Sequence, residues 1–325
     1  MKMQKHTWKR VLWGVFLVVV VVFAIWGYKT STSDNSSSSD SLQTVTIGYQ
    51  AGDPISIAKA RGELKKKMKA KGYKVVFKEF QNGAAEMQAM KSGSIDYARV
   101  GDTPPITSIA QGTKITLVAA GSSKANGSGL LVGKNSGINS LSDLKGKTIA
   151  YTSNTSSQYM ILKVLQKAGL STSDVTLKDM SQADAGVAFA KGKIDAWANW
   201  DPYTAQAQVK YDAKMLINGA TLDVNNRDFL ISGSYANQHK TVSKLLVKYL
   251  GQDMAWANNH KSQLVTMMAK ELSLSKTIVK KMVDRRSYSL GSVTTTELKE
   301  EQSIADLFYD EGITKKQVTI KVNNN

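Results

Sequence analysis

The feature of this sequence that most constrains its fold is a strand-like segment that leads into a polar helix start and recurs four times. In each copy, an apolar or alternating run is followed at once by polar residues or proline, and then by a helix-like segment. The strand-like segments are residues 44–50, 95–100, 148–151 and 194–198. Strands that alternate with helices predict an α/β fold whose sheets pair mainly in parallel.

Two of the four junctions share their internal spacing. Gly93 lies nine residues before Asp102, and Gly192 lies nine residues before Asp201. Each glycine is followed two residues later by an Ile-Asp pair that opens the strand-like segment, and each later Asp is followed closely by proline. This repetition predicts two lobes that are built on a similar plan.

The amino-acid composition limits which kinds of molecule the protein is expected to bind. The chain has 325 residues, of which 42% are hydrophobic, so it can bury the cores of two lobes. Its formal net charge of +17 suits anionic partners. Nucleic acid is not expected among them, because the lysines are scattered and no nucleic-acid-binding signature accompanies them. The absence of cysteine excludes disulfides and thiol chemistry, and three distant histidines make a metal site or another cofactor unexpected.

The first residues predict a membrane-targeting segment. Residues 11–28 are uncharged and mostly apolar, they follow several basic residues, and aromatic residues lie near both ends. That length is at the lower edge of what spans a bilayer. Residues 1–29 are predicted to be an uncleaved anchor, with a cleaved signal as the alternative, and the Ser-rich residues 30–43 to be a linker. Both alternatives place the body outside the cell membrane.

The strand-to-helix junctions are candidate anion sites. In α/β sheets, ligands bind beyond the carboxyl ends of the strands. Helix starts there offer free backbone N–H groups and the positive end of the helix dipole, so several of them can hold a compact oxyanion. The alternative is that these are ordinary capped helices of any α/β protein.

Five stretches, taken in order, resemble the aliphatic sulfonate and taurine branch of the substrate-binding proteins of ABC importers. They are IGYQ at 47–50, GDTPP at 101–105, LSDLKGK at 141–147, the segment 184–202 with its DAW and WDP motifs, and NNRDFL at 225–230. The resemblance covers the chain from about Thr44 to its C-terminus. A lipid-attachment cysteine is absent here, and residues 11–28 are expected to replace it as the membrane contact.

The resemblance implies a bilobal, periplasmic-binding-protein-like fold of type 2, with two mainly parallel-sheet lobes joined by a two-stranded hinge. Lobe 1 would comprise residues 44–130 with 226–325, and lobe 2 residues 131–225. The chain would cross between them near 129–132 and 225–229. A small sulfonate, an alkanesulfonate or taurine, would be trapped between the lobes of a monomer that delivers it to an ABC permease with its ATPase.

Ten residues are candidate ligand contacts. Most of them are short polar side chains at helix starts, which can donate hydrogen bonds to the ligand. Trp200 would offer an aromatic surface to the carbon part of the ligand. The ten are Gln50, Asp102, Thr103, Asn154, Thr155, Ser156, Ser157, Trp200, Asp201 and Arg227.

For three of these candidates, the sequence leaves open whether the side chain contacts the ligand or has a structural role. Asp102 and Asp201 are either helix caps that turn away from an anion or partners for the ammonium group of taurine. Arg227 is either ligand-facing or an ion-pair partner.

Other functions remain open at this point. The same fold with another ligand (nitrate, bicarbonate, a phosphonate or a pyrimidine precursor) is the nearest alternative. An envelope enzyme is weakly supported, because Ser142 with Lys145 matches a serine-lysine spacing that Ser273 with Lys276 also matches. The sequence therefore predicts a binding protein and not an enzyme.

Overall fold

The strands of the molecule form two sheets, and the computed structural model describes them within residues 41–324. The first sheet has the strand order β11-β4-β10-β3-β1-β2, with β12 also paired to β4. Its strands are β1 (Gln43–Gln50), β2 (Tyr73–Phe80), β3 (Tyr97–Gly101), β4 (Ile115–Gly121), β10 (Asp228–Ser232), β11 (Leu290–Gly291) and β12 (Asn323–Asn324).

The second sheet has five strands in the order β7-β6-β8-β5-β9. They are β5 (Ser128–Val132), β6 (Thr148–Tyr151), β7 (Thr176–Asp179), β8 (Ala196–Trp200) and β9 (Lys214–Asn218). The predicted α/β fold class is confirmed.

Helices connect these strands and cover the sheets. They are α1 (Pro54–Arg61), α2 (Glu63–Lys69), α3 (Gly83–Lys91), α4 (Thr103–Ala110), α5 (Ser156–Ala168), α6 (Gln182–Ala190), α7 (Tyr203–Lys210), α8 (Tyr235–Gln238), α9 (Lys240–Asn259), α10 (Lys261–Glu271), α11 (Lys276–Asp284) and α12 (Thr295–Asp310). None of the helices described is long and apolar enough to span a bilayer. The predicted anchor, residues 1–29, and nearly all of the predicted linker lie outside the described residues.

Each sheet is mixed: its longer strands run mainly in one direction, and one of them, β10 in the first sheet and β5 in the second, runs against its neighbours. The two-residue strands β11 and β12 are also antiparallel to their neighbour β4. β1 pairs in parallel with β2 and β3, and β6 pairs in parallel with β7 and β8. β10 pairs antiparallel with β3 and β4, and β5 pairs antiparallel with β8 and β9. The chain leaves each sheet at the carboxyl edge and enters the other sheet at that same edge. The entering strand must therefore run in the opposite direction.

The chain crosses between the sheets in two segments that contact each other. The first crossing is residues 122–127, between β4 and β5, and the second is residues 219–227, between β9 and β10. The N–H group of Lys124 donates to the carbonyl oxygen of Asn225 at 2.8 Å, and Asn226 Nδ2 donates to Ser128 Oγ at 2.6 Å. The first crossing thus precedes the predicted 129–132, whose residues belong to the buried strand β5. We propose that the two sheets are the cores of the two predicted lobes.

Apolar strand residues and helix faces form the cores. On β1, Val45 and Ile47 are fully buried, as the alternating sequence predicts. In the second sheet Trp197 is 2% exposed, and its ring lies 5.9 Å from that of Phe189 and 6.2 Å from that of Tyr203. These packed cores hold the carboxyl edges of the two sheets in fixed positions.

The repeated Ile-Asp motif has the same structural role in both sheets. Asp96 Oδ2 accepts a hydrogen bond from the N–H group of Thr46 in β1 at 2.7 Å, and Asp195 Oδ2 accepts one from Thr148 in β6 at 2.7 Å. Each Asp N–H also donates to the carbonyl oxygen of the same threonine, at 2.9 and 2.8 Å. The duplicated spacing in the sequence therefore corresponds to a duplicated strand contact.

Replacing Asp96 or Asp195 with alanine should lower the free energy of unfolding by about 1.5 kcal/mol in each case, because a strand N–H group loses a charge-assisted acceptor. Urea denaturation measures this change. Asp310→Ala, at an exposed position of α12, is the matched control and should change stability little. Loss of stability at only one of the two motif positions would contradict their equivalence.

Candidate functional site

A small polar cavity lies between the two sheets, where the carboxyl ends of β1, β3 and β8 come together. Its volume is about 20 Å³, which is room for about one water molecule. The lining residues come from both sheets, both crossings and three helix starts. They are Gln50, Gly83, Gly101, Pro104, Lys124, Thr155, Ser156, Trp200 and Asn226. This is the edge of an α/β fold at which ligands bind.

Three helices begin at the cavity. Gly83 is the first residue of α3, Pro104 is the second residue of α4, and Thr155 is the N-cap of α5. The first N–H groups of a helix have no partner within the helix and carry partial positive charge. The positive ends of three helix dipoles therefore lie at the cavity, although Pro104 and Pro105 in the first turn of α4 carry no N–H group.

Gly83 is required for the close approach of α3 and α4. A Cβ atom at this position would lie 2.5 Å from both Pro104 Cγ and Val100 Cγ2. Any larger residue would push the start of α3 away from the start of α4, and would change the shape of the cavity wall.

The start of α5 is held by its own polar side chains. Thr155 Oγ1 accepts from the N–H group of Ser157 at 3.3 Å and donates to the carbonyl oxygen of Thr152 at 2.7 Å. Ser157 Oγ accepts from the N–H group of Thr152 at 2.8 Å, and the left-handed Asn154 donates its N–H to Gln158 Oε1 at 2.7 Å. These bonds fix the loop before α5, so that Thr155 and Ser156 face the cavity.

The structure brings four of the ten predicted residues to the cavity wall: Gln50, Thr155, Ser156 and Trp200. Three others lie directly behind it, at the starts of α4 and α5. They are Thr103, Asn154 and Ser157.

The two predicted acids and the predicted arginine have other partners. The Asp102 carboxylate does not cap α4 but accepts from Thr103 Oγ1 at 2.9 Å and from the N–H group of Arg227 at 3.1 Å. Asp201 forms an ion pair with Arg285 and accepts from the N–H group of Ala205. Arg227 contacts Glu300 through Nε and Nη2, each at 3.0 Å. In the described part of the chain, these three side chains do not line the cavity.

Lys124 and Asn226 line the cavity and were not predicted. Both lie in the crossings, where no periodic pattern marks them in the sequence. The backbone of Asn226 is left-handed, with φ 44°, a conformation that Asn adopts more readily than most residues. Lys124 is one of many lysines, and only the fold distinguishes it from the others.

A buried ion cluster holds Lys124 in place. Lys124 Nζ lies 2.5 Å from Asp228 Oδ1, and Arg286 Nη2 lies 3.3 Å from Asp228 Oδ2. Arg99, which is 1% exposed, lies 3.8 Å from the same carboxylate. Burial alone would raise the pKa of Asp228, but these three cations together lower it below its ordinary value. The carboxylate therefore stays ionised and anchors the lysine at the cavity wall.

A second, larger cavity adjoins the first and shares Gln50 and Trp200 with it. Its volume is about 420 Å³, within the range of small-molecule sites. Most of its lining is apolar or aromatic, and Trp200 and Tyr203 meet edge to face at 6.3 Å. The other lining residues are Ala51, Glu79, Phe80, Gln81, Pro202, Gln206, Leu272 and Leu274.

A groove of about 730 Å³ lies away from both cavities, between α7, α10 and α11. Four lysines line it, and two of them, Lys261 and Lys276, are the first residues of α10 and α11. Lys280 is paired with Asp284, and no residue of either crossing lines the groove. Within residues 41–324, no cluster of His, Asp and Glu could hold a metal ion.

Two α/β layers joined by two crossings, with a polar cavity between them, define a two-lobed protein of the periplasmic-binding-protein type. The chain belongs to the NMT1/THI5-like family, whose model matches residues 68–263.

Relatives agree with this assignment. A protein of Escherichia coli (strain K12) named for aliphatic sulfonate binding is 28% identical over 93% of this chain and 95% of its own. The taurine-binding periplasmic protein of the same strain is 27% identical over 63% of each chain. The alkanesulfonate-binding protein of Xanthomonas axonopodis pv. citri, solved with MOPS bound, is 30% identical with a TM-score of 0.81, over 85% of this chain and 96% of that chain.

Four buried carboxyl groups, none of which lines either cavity, have raised pKa values. Burial, and then the charge of Asp228, raises the pKa of Asp53 to about 7, and burial raises the pKa of Asp102 to about 6. Burial also raises the pKa of Glu86 and of Glu301 well above their ordinary range. Both carboxyl oxygens of Glu301 lack a hydrogen-bond partner among the residues described. A group whose pKa is higher in the folded state holds more protons there, so its contribution to stability falls as pH rises through the folded pKa.

The free energy of unfolding should therefore be greater at pH 6 than at pH 8, by about 1 kcal/mol or more. Urea denaturation at the two pH values measures the difference. Glu301→Gln, which replaces one buried acid by a neutral amide of the same shape, should reduce it. Equal or higher stability at pH 8 would show that these carboxyl groups are not protonated in the folded state.

Proposed function

We propose that the protein is the extracytoplasmic substrate-binding component of an ABC importer, and that it binds an aliphatic sulfonate between its two lobes. The observation that carries the proposal is the convergence of three helix starts and Lys124 on the small cavity. Relatives named for sulfonate binding share the fold over nearly the whole body.

The small cavity suits the sulfonate head group. Sulfonate oxygens are acceptors only, and Lys124 and the free N–H groups at the starts of α3 and α5 are donors, whereas Pro104 and Pro105 of α4 have no N–H group to offer. The nearby acids Asp102 and Asp201 are held by Arg227 and Arg285, so neither carboxylate faces the anion. That arrangement favours an alkanesulfonate, since neither acid is available to bind the ammonium group of taurine.

The larger cavity suits the carbon part of the ligand. Phe80, Tyr203 and Leu274 supply apolar surface beside it, and Trp200 separates it from the head-group cavity. A chain or ring attached to the sulfur would lie there and bury apolar area, at about 0.8 kcal/mol for each CH₂ group.

Binding requires the two lobes to move. A cavity of about 20 Å³ cannot admit a sulfonate in this closed arrangement. The crossings, residues 122–127 and 219–227, are the connections about which the lobes would separate. The ligand favours closure because the N–H groups of α3 and α5 reach it together only when the lobes are closed.

The partners in transport are an ABC permease and its ATPase, and the protein would act as a monomer tethered through residues 11–28. These assignments rest on the sequence resemblance. Binding without catalysis is supported by the names of the relatives and by the position of Ser142. Its hydroxyl bonds Ser140 Oγ on the exposed surface, and Lys145 pairs with Asp174.

Titration calorimetry with methanesulfonate, ethanesulfonate, hexanesulfonate, taurine, nitrate and bicarbonate tests the ligand class. We expect saturable one-to-one binding of the sulfonates, weaker binding of taurine than of ethanesulfonate, and tighter binding of hexanesulfonate. Binding of nitrate or bicarbonate with no heat from any sulfonate would keep the fold and overturn the ligand. Turnover of a sulfonate would overturn the assignment as a binding protein.

Lys124→Gln should weaken ethanesulfonate binding by about tenfold to a hundredfold, because a charge-assisted contact at the cavity wall is lost. The same calorimetry measures the effect. Lys276→Gln, in the lysine groove between α10 and α11, is the matched control and should leave affinity unchanged. A larger loss of affinity in Lys276→Gln than in Lys124→Gln would indicate that the anion binds in that groove.

A further inference from the structure

Glu86 lies directly behind Gln50, away from the cavity. Gln50 lines the small cavity and Glu86 does not. Glu86 is fully buried, and its Oε2 accepts a hydrogen bond from Gln50 Nε2 at 2.7 Å. Its other oxygen, Oε1, faces the backbone of β1 near Gly48 and has no hydrogen-bond partner within the described residues. Glu86 can therefore act on a bound anion only through the amide of Gln50.

The surroundings of Glu86 oppose a negative charge. A buried carboxylate with one unpaired oxygen carries a large desolvation cost, which a bound proton removes. Burial, followed by the charge of Asp53, raises the pKa of Glu86, and Asp228 adds to the effect. The hydrogen bond from Gln50 and the charge of Lys124 lower it by less.

The other charged groups near α3 do not offset this cost. α3 packs on β1, β2, β3 and α4. Glu79 of β2 bonds Tyr49 Oη, Arg99 of β3 pairs with Asp228, and Asp102 precedes α4 with its own partners. The protonated form of Glu86 is therefore lower in free energy than the ionised form at this position.

The proton decides which end of the Gln50 amide faces the cavity. An ionised carboxylate only accepts hydrogen bonds, so it holds Nε2 of Gln50 and leaves the amide oxygen for the opposite side. A protonated carboxyl group donates, and its O–H group can bond the amide oxygen after a half-turn of the amide. The NH₂ group then lies on the cavity side, where it can donate to an anion.

We propose that Glu86 is protonated when the anion is bound and positions Gln50 with its NH₂ group toward the anion. This inference rests on the proposed function and adds a means of regulation to the same site. The proton comes from solvent as the anion binds and returns to solvent as the anion leaves. Glu86 is thus a positioning residue, and sulfonate affinity depends on pH although the sulfonate itself does not titrate.

The test is calorimetric titration of the full chain with ethanesulfonate at several values between pH 6 and pH 9. The dissociation constant should rise by up to about tenfold for each pH unit above the Glu86 pKa, because one proton is linked to binding. Titration at pH 8 in two buffers of different ionisation enthalpy should show proton uptake as ethanesulfonate binds.

Glu86→Gln separates positioning from structural support. Its amide NH₂ group donates permanently to the Gln50 oxygen, so binding should stay tight at pH 9, with no pH dependence and no proton uptake. Gln50→Leu should bind more weakly than the wild-type protein at pH 6 and should also lose the dependence on pH. Glu301→Gln is the matched control, a buried acid away from the cavity wall, and should keep the slope of the wild-type protein.

Each outcome has a distinct meaning. Sulfonate binding whose affinity is constant from pH 6 to pH 9 overturns this inference and leaves the proposed function standing. A wild-type slope retained in Glu86→Gln or in Gln50→Leu also overturns it, because the linked proton then lies elsewhere. No sulfonate binding at any pH overturns both the inference and the proposed function.

Discussion

The arrangement of the cleft depends on the buried carboxylate of Asp228. It begins the strand β10 that returns the chain to the first sheet, and three cations from different parts of the chain meet it. Lys124 brings the first crossing to this point, Arg99 brings β3, and Arg286 brings the C-terminal segment. Removing one partner of such a buried cluster is costly because the remaining charges stay uncompensated. The contact between Lys124 and Asp228 therefore links the first crossing to the start of β10. It also fixes the position of Lys124 at the cavity wall.

The proposed anion site lies among buried acids, and two arrangements keep their charges away from it. Asp102 and Asp201 are turned toward the backbone and toward Arg285, so their charges do not face the cavity. Glu86 and Glu301 are buried where the protonated form of the carboxyl group is favoured over the ionised form. The positive potential then comes mainly from backbone N–H groups at helix starts, which need no flexible side chain to be ordered. Under the proposed role of Glu86, proton binding and anion binding favour each other.

Much of the fold followed from local sequence signals. The predicted strands at 44–50 and 148–151 and the proline-led start of α1 are present, and the Ile-Asp repeat marks the same contact in both sheets. Strand direction was not predictable, because β5 and β10 are antiparallel only as a result of the path the chain takes between sheets. Helix starts located Thr155 and Ser156 at the cavity. Lys124 and Glu86 were not found, since their roles come from contacts distant in sequence that leave no periodic pattern.

We propose that the two lobes close on a sulfonate at the meeting point of the helix starts. A crystal structure of the protein with ethanesulfonate, in which anomalous scattering locates the ligand sulfur, tests it most directly. We expect the sulfur in the small cavity, with its oxygens bonded to Lys124 and to N–H groups at the start of α5, and with the carbon chain directed past Trp200. A sulfur atom in the lysine groove between α10 and α11, or lobes that remain apart around the ligand, would contradict it.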